Sequence, residues 1–273
     1  MPSPQSIFIL SVSSDIGEEL ALRYLEKGCR VAGTYRRSAP EQLQRAGIPM
    51  LRCDVAEPGC GGAIRAFLEE TRFRWDLFIS AVGQLTPIGK FLETGFAEWE
   101  TSVNTNSVGQ LRVLHAIWPC ASTGMKHAVF FAGGGTNNPF PNYSAYCLGK
   151  VALIKMCELL DDEIPELNPF ILGTGWVRTK IHRQTIDAGT DAGRSFELTS
   201  RFLKEKPPAT EFSEIFEMIE WCVEHGKAVA GGRNFSIVHD PWRNGGVSLA
   251  GELHSDPDKY RLRRAGNKSN SPS

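Results

Sequence analysis

The 273-residue sequence has no apolar stretch close to the roughly 20 residues that span a bilayer, which argues against a helical membrane protein. Its start, Met-Pro-Ser-Pro-Gln-Ser, lacks the basic flank and the apolar length of a secretion signal, so a cytoplasmic protein is expected. An excess of one charge is also missing. Lys+Arg number 30 and Asp+Glu 31, a formal charge of -1, and such a chain has no global field to draw it to nucleic acid or an anionic membrane. The expected partner is a small-molecule substrate. The seven cysteines are scattered without a Cys-x-x-Cys pair and the six histidines do not cluster, so free thiols and no metal site are expected.

What is present is a rhythm. With 41% apolar residues the chain has material for one sizeable core. Short apolar runs at 6–12, 30–35, 49–53, 75–81, 127–132, 168–173 and 234–239 read as strands. Between the strands up to 168–173 lie helical stretches at 16–27, 40–46, 60–71, 98–116 and 144–160. In the first of them Ile16, Leu20, Tyr24 and Leu25 share one face and Gly28 supplies the stop. This alternation predicts an α/β fold, a doubly wound parallel sheet in three αβα layers with right-handed crossovers. One domain is expected over residues 1–255. Residues 176–224 interrupt the rhythm with mixed charge and Pro207-Pro208, and are expected to form a helical substrate lid above the carboxyl ends of the strands. Residues 256–273 read as a polar, basic tail whose last ten residues are expected to be mobile.

The turn after the first run, Ser11-Val12-Ser13-Ser14-Asp15-Ile16-Gly17, stands where a dinucleotide fold brings backbone amides and a helix N-terminus to a pyrophosphate. The same residues would serve as a serine-rich helix cap with Ser14 or Asp15 as N-cap. About 20 residues further on, the second run ends in Arg36-Arg37 with no acid until Glu41. Guanidinium groups pair with phosphate, so Arg36, with Arg37 as a second candidate, favours NADP(H) over NAD(H).

Tyr146 and Lys150 are four residues apart and share one face of the expected 144–160 helix. A cation beside a phenol stabilises the phenolate and is expected to bring its pKa down toward a value useful for proton exchange.

Taken together these motifs resemble the short-chain dehydrogenase/reductase family, over residues 6 to about 240. That family's Thr-Gly-x-x-x-Gly-x-Gly places Ser11, Asp15 and Gly17 in its three glycine slots, so two of the three are substituted. Asp54-Val55 is similar to its adenine-binding Asp-Val, and Ser80-Ala81-Val82-Gly83 stands in for its Asn-Asn-Ala-Gly. The resemblance implies a Rossmann-like fold, with cofactor contacts from Ser11, Ser13, Ser14, Asp15, Ile16, Gly17, Arg36, Arg37, Asp54, Val55, Ala81 and Gly83. It adds Gly175, Val177 and Thr179 of the Gly-x-Val-x-Thr segment. Tyr146 then exchanges a proton with the substrate oxygen while Lys150 binds the nicotinamide ribose, and Asn106 of Asn106-Ser107-Val108-Gly109 holds a water linked to the lysine.

One member of the family's site is missing. Its substrate-orienting serine falls at Gly133, which has no hydroxyl. Thr136, or a backbone amide of the Gly133-Gly134-Gly135 loop, is the expected replacement. Trp176, His182 and Arg183 at the base of the lid are candidate substrate contacts. The Asp240-Pro241-Trp242 and Tyr260-Arg261-Leu262-Arg263-Arg264 segments resemble bacterial relatives associated with surface-polysaccharide gene clusters, which points to a carbohydrate or nucleotide-linked substrate. By the same resemblance a homodimer or homotetramer forms through 98–116 and 144–160. Three functions remain open: a carbonyl/alcohol oxidoreductase, an NADP(H)-binding sensor or partner subunit with weakened catalysis, and a non-redox epimerase or lyase using Tyr146 as base.

Overall fold

A computed structural model of the chain describes residues 4–263. Seven strands, β1 (Ser6–Leu10), β2 (Arg30–Tyr35), β3 (Met50–Arg52), β4 (Leu77–Ser80), β5 (Lys126–Phe131), β6 (Leu167–Gly173) and β7 (Asn234–Ser236), form one sheet in the order β3-β2-β1-β4-β5-β6-β7. Every pairing is parallel. The chain runs outward from β1 in both directions, so the strand order reverses beside β1, and a crevice opens there at the carboxyl ends.

The central strands are largely apolar because both faces are covered. In β1, Ile7 and Ile9 enter one core cluster while Phe8 and Leu10 enter another. The first cluster is completed by α1 (Asp15–Glu26) and α2 (Glu41–Arg45). The second is built by α3 (Cys60–Glu70), α5 (Val108–Ile117) and α6 (Ser144–Glu163), with α4 (Phe96–Asn106) packed against α5 and α6. The helix expected over 98–116 is thus two helices, broken at Ser107, whose φ of -142° and ψ of -82° leave the helical region. The break lets Gly109 sit against the carbonyl of Val55, where a β-carbon would come within 2.6 Å.

The lid is shorter than expected. After β6 come α7 (His182–Ala188) and α8 (Arg194–Glu205), which lie over the crevice, but α9 (Phe212–His225) belongs to the first layer. Its Ile215, Met218, Ile219 and Cys222 are fully buried in the cluster that holds Leu20 and Tyr24 of α1. An apolar face this continuous belongs under the sheet rather than over a ligand. The short α10 (Lys227–Ala230) and α11 (Val247–Ser255) complete that side.

The tail also begins later than expected. Asn234 N–H donates to the Tyr260 carbonyl, Arg261 pairs with Asp161 at 2.9 Å, and Arg263 pairs with Glu158 at 2.7 Å. Residues 256–263 are therefore docked on the fold, while the last ten, expected to be mobile, lie outside the described residues. All seven cysteines are free, and no group of His, Cys, Asp or Glu among the described residues could hold a metal ion. No helix among them is long and apolar enough to cross a membrane.

Candidate active site

The crevice is a cleft of about 860 Å³ that runs from the β1–α1 turn to the underside of the lid. At the turn, Ser14 is the N-cap of α1: its hydroxyl accepts from the Gly17 amide at 3.0 Å and donates to the Ser11 carbonyl at 2.9 Å. Ser13, Asp15 and Ile16 line the cleft, at the point where a helix leaves its first amides without intrahelical partners. The turn that caps α1 is therefore also a wall of the cleft. Ser11 occupies the first glycine slot at φ 71°, a left-handed conformation that costs a side-chain-bearing residue about 1 kcal/mol. Gly17 does not line the cleft. A β-carbon there would lie 2.3 Å from the Ser11 carbonyl oxygen, so its role is to let α1 close on the turn.

Arg36, Arg37 and Ser38 are exposed at the end of β2 and line the same cleft. Asp54, Val55, Ala81 and Gly83 do so from the ends of β3 and β4, with one Asp54 carboxylate oxygen accepting from the Ala56 amide at 3.0 Å. Gly175, Val177 and Thr179 approach from beyond β6. Gly175 stands at φ 69°, and a β-carbon on it would strike Val238 at 2.6 Å, so only glycine fits that bend.

Tyr146 and Lys150 meet on α6 where it crosses α4. The crossing is close because Gly149 has no side chain: a β-carbon there would be 2.6 Å from Cβ of Asn106. Both residues line the cleft and both are buried. Lys150 Nζ donates to the Val82 carbonyl at 3.0 Å and lies 5.9 Å from the Tyr146 ring centroid. Burial lowers the Lys150 pKa to about 7 and pushes the Tyr146 phenol well above its ordinary range. The expectation that Lys150 draws the phenol down is therefore corrected for the protein alone. The ammonium is not hydrogen-bonded to the hydroxyl, and desolvation drives each group toward its neutral form.

Two expected catalytic residues stand elsewhere. Thr136 does not line the cleft; its hydroxyl donates back to the Gly133 carbonyl at 3.2 Å, closing its own loop. Asn106 is fully buried and its carboxamide is committed to protein: Oδ1 accepts from the Gln84 amide at 3.0 Å, and Nδ2 donates to the Gln84 and Ser102 carbonyls at 2.8 and 2.9 Å. It clamps the loop after β4 rather than presenting its side chain to the cleft.

The lid brings in residues that no sequence motif marked. The Gln184 side-chain oxygen accepts from the amides of Leu85 and Thr86 at 2.8 and 3.2 Å, tying α7 to the loop after β4. Thr185 and Ser195 line the cleft, and the buried Tyr143 hydroxyl donates to Thr185 Oγ1 at 3.0 Å. Lys180 reaches back to the β1–α1 turn, where its ammonium is 3.1 Å from Asp15. Trp176 and His182 line the cleft stacked on one another, with centroids 5.4 Å apart, whereas Arg183 pairs with Asp187 on the exposed side. Trp242 is buried with its indole N–H on the Ile237 carbonyl, and Asp240 accepts from the Ser236 amide. These contacts give Asp240 and Trp242 of the Asp-Pro-Trp segment a packing role.

Residues 11–168, more than half of the chain, match the family model described as Enoyl-(Acyl carrier protein) reductase. The chain belongs to the short-chain dehydrogenase/reductase family. Benzil reductase ((S)-benzoin forming) of Bacillus subtilis is 24% identical over 167 residues, which cover 58% of this chain and 68% of that protein. Among solved structures, a short-chain dehydrogenase/reductase of Saccharomyces cerevisiae superposes with a TM-score of 0.76 at 20% identity, covering 90% of this chain and 98% of that one. A single-substitution variant of actinorhodin polyketide ketoreductase with NADPH superposes with a TM-score of 0.73 at 21% identity, covering 86% and 97%. At these identities the structural matches carry the fold alone.

Proposed function

We propose that the protein is an NADP(H)-dependent oxidoreductase that interconverts a carbonyl and an alcohol. The observation that carries this reading is that one cleft holds Arg36 and Arg37 at one end, the Ser13–Ile16 turn in the middle, and Tyr146 with Lys150 near the lid. These groups fit a nicotinamide dinucleotide phosphate: guanidinium groups for the 2′-phosphate, a helix N-terminus for the pyrophosphate, and Asp54 for the adenine edge. Bound there, the nicotinamide supplies or accepts the hydride.

The chain's own residues then handle the proton. In the reducing direction Tyr146 gives its phenolic proton to the carbonyl oxygen, and in the oxidising direction it takes the alcohol proton back. Lys150 holds a ribose hydroxyl, and any charge it keeps favours the phenolate. A substrate carbonyl enters under the lid, between Tyr146 and the hydroxyls of Thr185 and Ser195. Trp176, Leu198 and Phe140 supply apolar walls there, which suits a carbonyl compound with an apolar or aromatic body.

A second reading, a nicotinamide-binding protein with little turnover, is favoured by one observation: the Tyr146 hydroxyl is pressed against Gly133, in the place where the family carries its serine. Fluorescence titration with NADPH and NADH, followed by a screen of aliphatic and aromatic ketones for NADPH oxidation, separates the two. Binding of NADPH at least tenfold tighter than NADH, with Arg36→Ala abolishing the preference, is the expected result. Binding without oxidation of any ketone supports the second reading, and binding of neither nucleotide overturns both.

A further inference from the structure

Asp15 stands in a glycine slot of the turn, where a carboxylate opposes any phosphate that approaches the start of α1. The structure shows how that charge is handled. One Asp15 oxygen accepts from the backbone N–H of Lys180, and the other is 3.1 Å from the Lys180 ammonium, which also donates to the Ser13 carbonyl at 2.6 Å. Lys180 belongs to the segment between β6 and α7 and is 165 residues away in sequence. Asp15 therefore anchors the backbone and the side chain of the lid's first residues over the turn.

An ammonium has three N–H donors, and these contacts use two. The remaining donor sits on a residue that lines the cleft beside Ser13, Ser14 and Ile16. The Lys180 side chain is 65% exposed, so the ammonium keeps access to a solute entering the cleft. The other charged groups near the turn are Glu18 on α1 and, further along the cleft, Arg36 and Arg37. Among the described residues Lys180 is the cation that contacts the turn itself.

We propose that Lys180 is a cofactor-binding residue: held in place by Asp15, its ammonium meets the pyrophosphate of the dinucleotide. The Asp15–Lys180 pair thus offsets the loss of glycine from that slot. The negative charge that would weaken phosphate binding becomes the tether of the positive charge that strengthens it, and the lid base is fastened to the phosphate site. The inference rests on the nicotinamide dinucleotide reading of the cleft.

The test compares two ligands by fluorescence or calorimetric titration: NADPH, which carries the pyrophosphate, and adenosine 2′-monophosphate, which occupies only the Arg36 end. Lys180→Met is expected to weaken NADPH by 10-fold or more and to leave adenosine 2′-monophosphate within 2-fold, by the size of a lost charge-assisted contact. Lys180→Arg is expected to restore most of the NADPH affinity. Asp15→Asn, which releases the ammonium from its tether, is expected to shrink the further loss of NADPH affinity on Lys180→Met, because an untethered Lys180 contributes less. Unchanged NADPH affinity in Lys180→Met overturns the proposal, as does an equal loss for both ligands, which would indicate damage to the fold. If the wild-type protein binds neither ligand, the dinucleotide reading itself fails, and that result is distinct from the other two.

Discussion

The Tyr146 hydroxyl fills the place where a β-carbon on Gly133 would stand: an ideal β-carbon there would be 2.1 Å from Oη and 2.4 Å from Cζ. The glycine is more than a serine lacking its hydroxyl. It is the space into which the phenol is set, and β5 with its following loop forms the floor of that space.

Gly133→Ser is therefore expected to displace the phenol rather than to repair the site. Overpacking at such a contact costs about 1–3 kcal/mol, read as a lower urea midpoint at unchanged slope. In a Tyr146→Ala background the same change is expected to cost less than about 0.5 kcal/mol, because the colliding ring is gone. Equal losses in the two backgrounds would show that the clash is not with Tyr146.

With Gly133 and Thr136 removed as donors, the Thr185 hydroxyl is the best placed to orient a substrate carbonyl. It accepts from Tyr143 and lines the cleft, so its own proton is available to a ligand. Thr185→Val keeps the shape and is expected to lower kcat by about 10²-fold with NADPH affinity unchanged. A kcat within a factor of three of wild type would transfer the role to a backbone amide of the 133–135 loop.

Lys150 makes stability depend on pH. Burial depresses its pKa to about 7, far below an unfolded lysine, so between pH 7 and about 10.4 the unfolded chain binds the extra proton. Unfolding free energy is thus expected to rise with pH through this window, by up to about 1.4 kcal/mol per unit, and to be flat in this respect below it. Lys150→Met removes the slope. Urea titrations of the two proteins at pH 7, 8 and 9 check this, and parallel curves would refute it.

Val108 on α5 and Leu148 and Leu159 on α6 are 40–48% exposed. A homodimer or larger assembly through these helices would cover them. Light scattering is expected to show an oligomer that Leu148→Glu dissociates, and a wild-type monomer at micromolar concentration would count against it.

Much of the fold is legible in the sequence because parallel strands buried on both faces are written as short apolar runs, and each of the seven runs overlaps a strand. The helix expected over 98–116 and the lid expected over 176–224 are both shorter in the structure, for one reason. Amphipathic spacing marks a helix without saying which surface it meets, so neither the break at Ser107 nor the assignment of α9 to the layer with α1 can be read from spacing. Ser13 and Arg36 are legible from chain order, because each follows a strand end, whereas Asp54 and Gly175 are legible only through the family resemblance.

What the sequence by itself determined was the sheet, the position of the turn that caps α1, and the pairing of Tyr146 with Lys150 on one helical face, since each follows from spacing along a single element. What only the tertiary structure decided were the contacts between distant elements. Gly149 lets α6 close on Asn106, Lys180 comes down on Asp15, and Tyr146 settles on Gly133. Burial of the pair, which sets the charge of Lys150, belongs to the same group. Desolvation depends on every element packed around a side chain, and no local pattern carries that information.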